Sequence, residues 1–197
     1  EVFGKNHHSV ASAYQSLGAL HNECGEPEKA REFLEMALEI MRTAHGEENA
    51  EVAECYHSLG VLYDDLGEHE TALEHLERGL TIQKAVYGEM HPEVATSYHS
   101  LGALYNDREQ HEKALEYFTE ALAVRRAVFG DEHPDVAESH HGLGEHYRDT
   151  GQPDKAREHL EKALAIQLKT FKEEHPDVAA TYQSLGALHD ECGEPEI

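Results

Sequence analysis

Residues 91–121 read HPEVATSYHSLGALYNDREQHEKALEYFTEA and give the clearest indication of the fold. Its apolar residues recur at steps of three or four, as they do on the buried face of an α-helix. The first of two predicted helices buries Val94, Tyr98, Leu101, Leu104 and Tyr105, and the second buries Ala114, Phe118, Ala121, Leu122 and Val124. Gly102 lies on the first face, where its small size lets a neighbouring helix come close.

Histidine and proline mark the start of the first helix. His-Pro is followed by Glu or Asp at His91, His133 and His175. Proline suits the first helical position because the N–H that it lacks is unpaired there anyway, and the acid lies beside the positive end of the helix dipole. The three histidines are therefore predicted to be helix-start residues.

Glycine marks the ends of the helices. Gly46, Gly88 and Gly130 follow the second helix and predict left-handed C-terminal caps, whereas Lys172 breaks this pattern in the fourth copy. The turn inside a helix pair also contains glycine in most copies. Glu109 replaces that glycine in the third copy, which predicts a strained turn there.

The whole pattern recurs with a period of 42 residues. Asn49, His91, His133 and His175 occupy the same place in successive copies. Repeats of this length indicate supersecondary units that bury their apolar faces by stacking on one another. The sequence predicts one array over residues 1–197, with repeats at about 7–48, 49–90, 91–132 and 133–174 and a truncated fifth at 175–197.

The spacing within a copy matches a known family. The tetratricopeptide-repeat signature, with tyrosine for the usual tryptophan, is reproduced by Tyr98, Leu101, Gly102, Tyr105, Ala114, Phe118 and Ala121. With its HP-[DE]-VA start, the repeat resembles the 42-residue repeats of kinesin light chain and nephrocystin-like proteins, over essentially the whole chain. The resemblance implies an all-α, right-handed superhelical solenoid of antiparallel helix pairs. Its first helices would line a concave, peptide-binding groove.

The resemblance also assigns the groove residues, which lie between the buried positions of each first helix. They are Gln15 and Glu23 in the first copy, Glu54, His57, Asp64 and Asp65 in the second, His99, Asn106 and Asp107 in the third, Glu138, His141, Glu145, Arg148 and Asp149 in the fourth, and Gln183 in the fifth. The basic residues with which kinesin light chains receive acidic cargo motifs are missing. An acidic set suits a cationic or amide-rich extended segment, because carboxylates accept charge-assisted hydrogen bonds from Lys and Arg. Alternatively, the acids only keep a long array soluble.

Histidine recurs at one groove position. His57, His99 and His141 occupy it in three copies, and Gln15 and Gln183 occupy it in the other two. Neighbouring carboxylates are expected to raise the pKa of these imidazoles above the ordinary value of about 6.5. Protonation would then remove negative charge from the groove, and a basic segment would bind more weakly near about pH 5.5. Alternatively, the imidazoles simply hydrogen-bond between adjacent helices.

Charge and composition exclude several kinds of partner. Sixteen Lys and Arg residues stand against forty Asp and Glu, and the formal net charge of −24 opposes nucleic acids and anionic membrane surfaces. No segment is long and apolar enough to span a membrane, and three cysteines without a CxxC pair indicate reduced thiols. The sequence predicts a soluble, cytoplasmic protein whose partner is a protein or a peptide.

No catalytic or cofactor motif accompanies the repeats. A nucleophile elbow, a phosphate-binding glycine loop and an HExxH motif are all absent, so neither an enzyme nor a cofactor is expected. Seventeen histidines invite a metal hypothesis. The best local set is Glu138, His141 and Glu145 on one helical face. Because this ligand set is incomplete, it would hold only an adventitious ion, and no metal site is predicted.

A second hypothesis makes stacking itself the function. The fifth copy contains one helix, which predicts that Tyr182, Leu185 and Leu188 are uncovered on one side. The first copy would offer a different face, the one that receives a preceding repeat. Unlike faces of this kind form heterologous contacts that propagate from chain to chain. The sequence thus leaves two functions open, a peptide-binding scaffold and a structural array built by head-to-tail self-association.

Overall fold

The structure, a computed structural model, describes residues 8–193 as nine α-helices without a strand. They are α1 (His8–Glu23), α2 (Pro27–His45), α3 (Ala50–Asp65), α4 (His69–Tyr87), α5 (Pro92–Asp107), α6 (His111–Phe129), α7 (Pro134–Asp149), α8 (Pro153–Thr170) and α9 (Pro176–Cys192). The predicted all-α class is confirmed. The expected start of the first repeat at residue 7, and the end of the fifth repeat beyond residue 193, lie outside the described residues.

The helices pack in consecutive pairs, α1 with α2, α3 with α4, α5 with α6, and α7 with α8. The second helix of a pair also packs against the next first helix, in the combinations α2–α3, α6–α7 and α8–α9. The chain falls into two compact units, one ending at Glu89 and one beginning at Met90. The first unit contains α1 to α4 and the second α5 to α9. A single array over residues 1–197 stays a prediction.

The predicted apolar faces form the core of the third pair. Val94, Leu101 and Leu104 of α5 are fully buried, and so are Ala114 and Ala121 of α6. Leu122 is only half-buried, and it packs beside the cluster that α7 and α8 form. The close approach predicted at Gly102 is confirmed, since a Cβ atom there would lie 2.8 Å from Cδ1 of Phe118.

The His-Pro motifs start helices as predicted. Nδ1 of His91, His133 and His175 accepts the backbone N–H of the residue two positions later, at 3.2, 3.2 and 3.3 Å respectively. Each imidazole therefore caps its helix by accepting one of the N–H groups that have no partner within the helix. Asn49 caps α3 in the same way through Oδ1, at 2.8 Å from the N–H of Glu51.

The helix-terminating glycines differ from the prediction in their ψ angle. Gly46, Gly88 and Gly130 have φ of 83°, 80° and 81°, but ψ of 176°, 170° and 170°. They therefore lie in an extended region with positive φ that only glycine tolerates, and not in the left-handed helical region. The extended ψ sends the chain directly toward the next helix. Where the glycine is missing, α8 ends one residue earlier in the repeat, and Phe171 is extended.

The turn inside the third pair is strained as predicted. Glu109 has φ of 56°, in the left-handed region that Gly25, Gly67 and Gly151 occupy in the other copies. The following N–H bonds the carbonyl of Tyr105 at 2.9 Å, as in the glycine-containing turns. The turn therefore keeps its geometry. Glu109 adopts a left-handed backbone conformation that is unfavourable for a residue with a Cβ atom.

Glu109→Gly is expected to raise the free energy of unfolding by about 1 kcal/mol, because it removes the cost of a side chain in the left-handed region. Urea denaturation of the parent and the variant measures the change. The control is Glu116→Gly in the exposed middle of α6, which should lower the free energy of unfolding by about 1 kcal/mol. A loss of stability in both variants would contradict the strain at Glu109.

Candidate functional site

Side chains of neighbouring first helices are hydrogen-bonded to one another in both units. Nδ2 of Asn22 donates to Oδ2 of Asp65 at 3.1 Å in the first unit, and Nδ2 of Asn106 donates to Oδ2 of Asp149 at 2.8 Å in the second. Oδ1 of Asn106 also lies 2.8 Å from Nδ1 of His146. The structure thus brings predicted groove residues together across adjacent first helices, and it ties Asp65 and Asp149 to amide donors.

Arg148, the one base of the predicted groove set, is surrounded by carboxylates. Its Nη2 lies 2.8 Å from Oε2 of Glu145 and 3.5 Å from Oδ1 of Asp149, and its Nε lies 3.8 Å from Oε1 of Glu191. Three acids on α7 and α9 therefore neutralise this guanidinium. Arg148 is unsuited to holding an acidic ligand, because any such ligand would have to displace these contacts.

A buried arginine reaches the groove residue Glu138 from the second helix of the preceding pair. Arg125 is only 2% exposed, and its Nη2 lies 3.2 Å from Oε2 of Glu138. Its Nη1 donates to the carbonyl of Asp135 at 3.1 Å and to Oγ of Ser139 at 2.9 Å. Nε2 of His99 lies 3.6 Å from the other carboxylate oxygen of Glu138. Glu138 thus partners a buried cation while its own side chain stays 54% exposed.

The expected rise in the pKa of the groove histidines is wrong. Burial lowers the pKa of His57 and His141, and it lowers the pKa of His99 to about 4. Glu138 acts in the predicted direction on His99, but loss of hydration outweighs it, and Arg125 adds to the lowering. Nε2 of His141 is bonded to Oγ of Ser184 on α9 at 3.2 Å, as in the alternative of imidazoles that link adjacent helices. The groove histidines are neutral near pH 7.

The remaining predicted residues fall into two groups. Glu23, Glu54, Asp107 and Gln183 are exposed on the first helices. Asp64 instead has a partner within its own repeat, since its Oδ1 lies 2.9 Å from Nδ1 of His69. The exposed set is the part of the prediction that a ligand could reach directly.

A cleft in the first unit is mostly uncharged. It has a volume of about 270 Å³ and lies between α1 and α3, with Gln15, Asn22 and His57 among its polar lining residues and Val61 and Leu62 among its apolar ones. Val61 is 36% exposed. This surface suits an apolar or amide side chain.

A cleft in the second unit is lined by three carboxylates, and we call it the acidic cleft. It has a volume of about 380 Å³ and is formed by α7, α9 and the end of α8, with the lining residues Pro134, Asp135, Glu138, His141, Gln167, Phe171, Asp177 and Ala180. Three carboxylates and a neutral imidazole therefore face one space, beside an aromatic ring. The arrangement can accept hydrogen bonds from a cationic group.

Sequence reasoning found only two of the polar residues of this cleft, Glu138 and His141. Asp135 and Asp177 belong to the His-Pro-Asp motifs and were interpreted only as helix-start acids. Gln167 is a polar residue on a second helix, 4% exposed, at the position that Met41 occupies in the first copy. A polar residue on an otherwise apolar helix face was the available signal.

The three residues of the metal hypothesis each have another partner. Glu138 contacts Arg125, Glu145 contacts Arg148, and His141 contacts Ser184. Within residues 8–193, no group of three His, Cys, Asp or Glu side chains is arranged to hold a metal ion. None of the described helices is both long and apolar enough to cross a bilayer.

The face predicted for head-to-tail contact is smaller than expected. Leu188 is only 2% exposed, because it packs against Ala156 and Leu160 of α8, so the prediction that it is uncovered is wrong. Leu185 is half-buried beside the same cluster. Tyr182 is 49% exposed. Head-to-tail self-association stays a prediction, and Tyr182 is its main apolar contact.

The repeated helix pairs with their recurrent glycines and small buried residues define a protein class. The family model "Tetratricopeptide repeat" matches residues 9–85, 66–127, 93–169 and 137–196. The chain belongs to the tetratricopeptide-repeat family. Proteins of this family generally mediate protein–protein interactions and are generally not enzymes. None of the curated proteins matches this chain.

Solved structures support the same relationship. A Podosopora anserina protein described as a kinesin light chain with nearly identical TPR-like repeats is 29% identical, with a TM-score of 0.76 over 95% of this chain and 89% of that one. BtubC (BKLC) from P. vanneervenii is 25% identical, with a TM-score of 0.81 over 95% of this chain and 74% of that one. The kinesin light chain-like resemblance inferred from the 42-residue repeat is therefore confirmed.

A third structure shares the fold alone. Aspartyl phosphate phosphatase F from Bacillus subtilis is 17% identical, with a TM-score of 0.76 over 98% of this chain and 51% of that one. At this level of identity the likeness concerns the arrangement of helices.

Proposed function

We propose that the chain is a non-enzymatic binding module that holds an extended basic or polar segment of a partner protein against its first helices. The observation that carries the proposal is the acidic cleft, in which Asp135, Glu138 and Asp177 face one space of about 380 Å³. A cationic side chain in this cleft would form charge-assisted hydrogen bonds, which are stronger than neutral ones. The net charge of −24 adds long-range attraction for a basic partner.

The state of the local bases and histidines favours the same ligand. Arg148 is engaged by three acids, and Arg125 is engaged by Glu138, which keeps a 54% exposed side chain. His141 is neutral near pH 7 because burial lowers its pKa. The positive charges beside the cleft are therefore already paired, and Asp135 and Asp177 remain for a cation. An acidic segment would meet the exposed carboxylates without a free base to receive it.

Basic peptides are expected to bind more tightly than neutral or acidic ones. Capped dodecapeptides rich in arginine and serine, in glutamine and serine, and in glutamate and serine can be compared by isothermal titration calorimetry at two salt concentrations. The affinity for the basic peptide should fall at higher salt, since the attraction is electrostatic. A variant with Asp135→Asn, Glu138→Gln and Asp177→Asn should bind the basic peptide about tenfold more weakly, a change of roughly 1.4 kcal/mol.

The control removes the same number of charges away from the cleft. The control variant carries three substitutions on the exposed face of α6, namely Glu112→Gln, Glu116→Gln and Glu120→Gln. This variant should keep most of the affinity if the acidic cleft is the site. An equal loss in both triple variants would show that the overall negative charge of the chain, and not the acidic cleft, attracts the peptide. No binding by the parent protein would show that the proposed ligand class is wrong.

A further inference from the structure

Helix α9 repeats the sequence of α1 almost without change. Residues 182–196 read YQSLGALHDECGEPE and residues 14–28 read YQSLGALHNECGEPE, so the two segments differ only where Asp190 replaces Asn22. The first compact unit therefore contains α1, and the second contains a first helix of nearly the same sequence. A surface that accepts α1 has the chemistry to accept α9 as well.

Helix α1 packs on α2 through one face. Tyr14 stacks on Phe33 with ring centroids 5.8 Å apart, and His21 stacks on the same ring at 5.2 Å. Between these two aromatic contacts Gly18 is buried, and a Cβ atom there would lie 2.7 Å from Cγ of Leu34. The absence of a side chain at this position is what lets α1 and α2 come so close.

The equivalent face of α9 is open. Tyr182 is 49% exposed, and a Cβ atom at Gly186 would meet no described atom within 4 Å. Ala179 is exposed, whereas Ala11 at the same position of α1 is fully buried. The face that α1 uses to bind α2 is therefore present on α9 and uncovered among the described residues.

The two helices are covered on opposite faces. Leu17 and Leu20 of α1 are 37% and 52% exposed. At the equivalent positions of α9, Leu185 is half-buried and Leu188 is 2% exposed, because α8 packs there. A first helix that lay between α8 and α2 would bury both of its apolar faces, and burial of apolar surface is stabilising.

We propose that α9 of one copy takes the place of α1 on α2 of a second copy, so that two chains join by helix exchange. Tyr182 then stacks on Phe33 of the second copy, and Gly186 lies against its Leu34. The partner is another copy of this chain, because α2 already binds the same residues in α1. Exchange of an equivalent element between protomers is a known route to assembly. The inference is independent of the peptide ligand proposed for the acidic cleft.

Within one chain, α1 competes with α9 for α2. Only residues 24–26 separate α1 from α2, so the effective concentration of α1 is on the order of millimolar or higher. Asp190 is a further disadvantage for α9. Nδ2 of Asn22 donates to Oδ2 of Asp65 at 3.1 Å, and an aspartate in its place brings two carboxylates together. Association of the parent chain is therefore weak and depends on protein concentration.

The same substitution at two equivalent glycines tests the exchange in opposite directions. Gly18→Leu clashes with Leu34, weakens the contact of α1 with α2, and leaves α2 free for α9 of another copy. Gly186→Leu meets open space within its own chain, but it clashes with Leu34 of a second copy. Sedimentation velocity measures association over a range of protein concentrations.

We expect Gly18→Leu to associate at a concentration at least about tenfold lower than the parent. Adding Gly186→Leu to this variant should remove the gain, and adding Asp190→Asn should strengthen association about threefold, because it restores the donor to Asp65. The Gly18→Leu, Gly186→Leu double variant is the matched control, since it exposes the same surface of α2. Circular dichroism of each variant shows whether the remaining helices are kept.

Two results overturn the exchange. One is association of Gly18→Leu that persists unchanged after Gly186→Leu is added, because α9 is then not the element that binds. The other is a Gly18→Leu variant that associates no more strongly than the parent. Where Gly18→Leu loses more helix than α1 contains, the parent and Gly186→Leu are compared at about 1 mM protein instead. A larger mass for the parent supports the exchange there, and equal masses overturn it.

Discussion

Acidification from pH 7.5 to pH 4.5 is expected to lower the free energy of unfolding by about 5 kcal/mol through His99 and His140 alone. Burial lowers the pKa of each imidazole to about 4. In the unfolded chain both titrate near about pH 6.5, so the unfolded state binds more protons between these values. The two neutral imidazoles therefore contribute their full stabilisation to the folded state above about pH 6.5, and this contribution is lost as the pH falls toward about 4.

The surroundings of His140 show why the neutral form is favoured. The residue is 8% exposed, and its Nδ1 lies 3.1 Å from Nδ1 of His159. After burial, the further causes of the lowered pKa are the positive charges of His159, Lys162 and Arg126, and Asp131 opposes them. Only one proton fits between two imidazole nitrogens this close. Placing a positive charge on both rings at once would therefore be costly.

His99 is held neutral by a different arrangement. After burial, Arg125 and His141 also lower its pKa, and Glu138 acts in the opposite direction. The ring lies against Phe118, with centroids 5.3 Å apart, and its Nδ1 is buried without a hydrogen-bond partner among the described residues. A proton on this ring would therefore be poorly solvated.

Urea denaturation at pH 7.5, 6.0 and 4.5 measures the loss, and the third repeat supplies the control. Tyr98 and Tyr117 occupy there the positions of His140 and His159, with ring centroids 5.9 Å apart instead of 5.1 Å. The double variant His140→Tyr, His159→Tyr should lose about 2–3 kcal/mol less than the parent at pH 4.5. Parallel stability curves in the two proteins would show that this histidine pair does not cause the acid sensitivity.

Gly144→Ala is expected to lower the free energy of unfolding by about 1–3 kcal/mol. A Cβ atom at this position would lie 2.6 Å from Cγ and 2.7 Å from Cδ2 of Leu160. Leu160 is fully buried and packs against Ala156 and Leu188, so it has no free space to move into. The clash outweighs the gain of up to about 1 kcal/mol that alanine brings to a helix interior.

Gly186, at the same repeat position in α9, provides the control. A Cβ atom there would meet no atom within 4 Å. Gly186→Ala should therefore raise the free energy of unfolding by about 0.5–1 kcal/mol, through helix propensity alone. The two substitutions are chemically identical, and urea denaturation should give opposite signs. Stabilisation by both would show that the fourth pair is not closely packed at Gly144.

Much of the local structure was predictable because its signals are local. A proline that lacks an N–H, a glycine that tolerates positive φ and an apolar step of three or four act through a few neighbouring residues. The helix starts at His91, His133 and His175 and the strained turn at Glu109 followed from such signals. The ψ of Gly46 did not, because it depends on where the next helix lies.

The candidate site was less predictable because several helices build it. Repeat positions identified Glu138 and His141, yet Gln167 and Phe171 come from α8 and enter the acidic cleft only when α8 packs between α7 and α9. Likewise, Arg125 of α6 reaches Glu138 only when α6 packs against α7. The residue pattern of one helix does not indicate which side chains of another helix will line the same cleft.

By itself, the sequence determined the 42-residue repeat, the helix pairs, the family and the acidic character of the first helices, since these depend on residue type and spacing. Tertiary structure decided the protonation state of the histidines and the partners of the charges. Nearby carboxylates predicted raised pKa values, whereas the folded chain lowers the pKa of His99 to about 4. The reason is physical: the pKa of an imidazole depends on its lost hydration and on every charge that surrounds it, and both are set only when three helices have packed together.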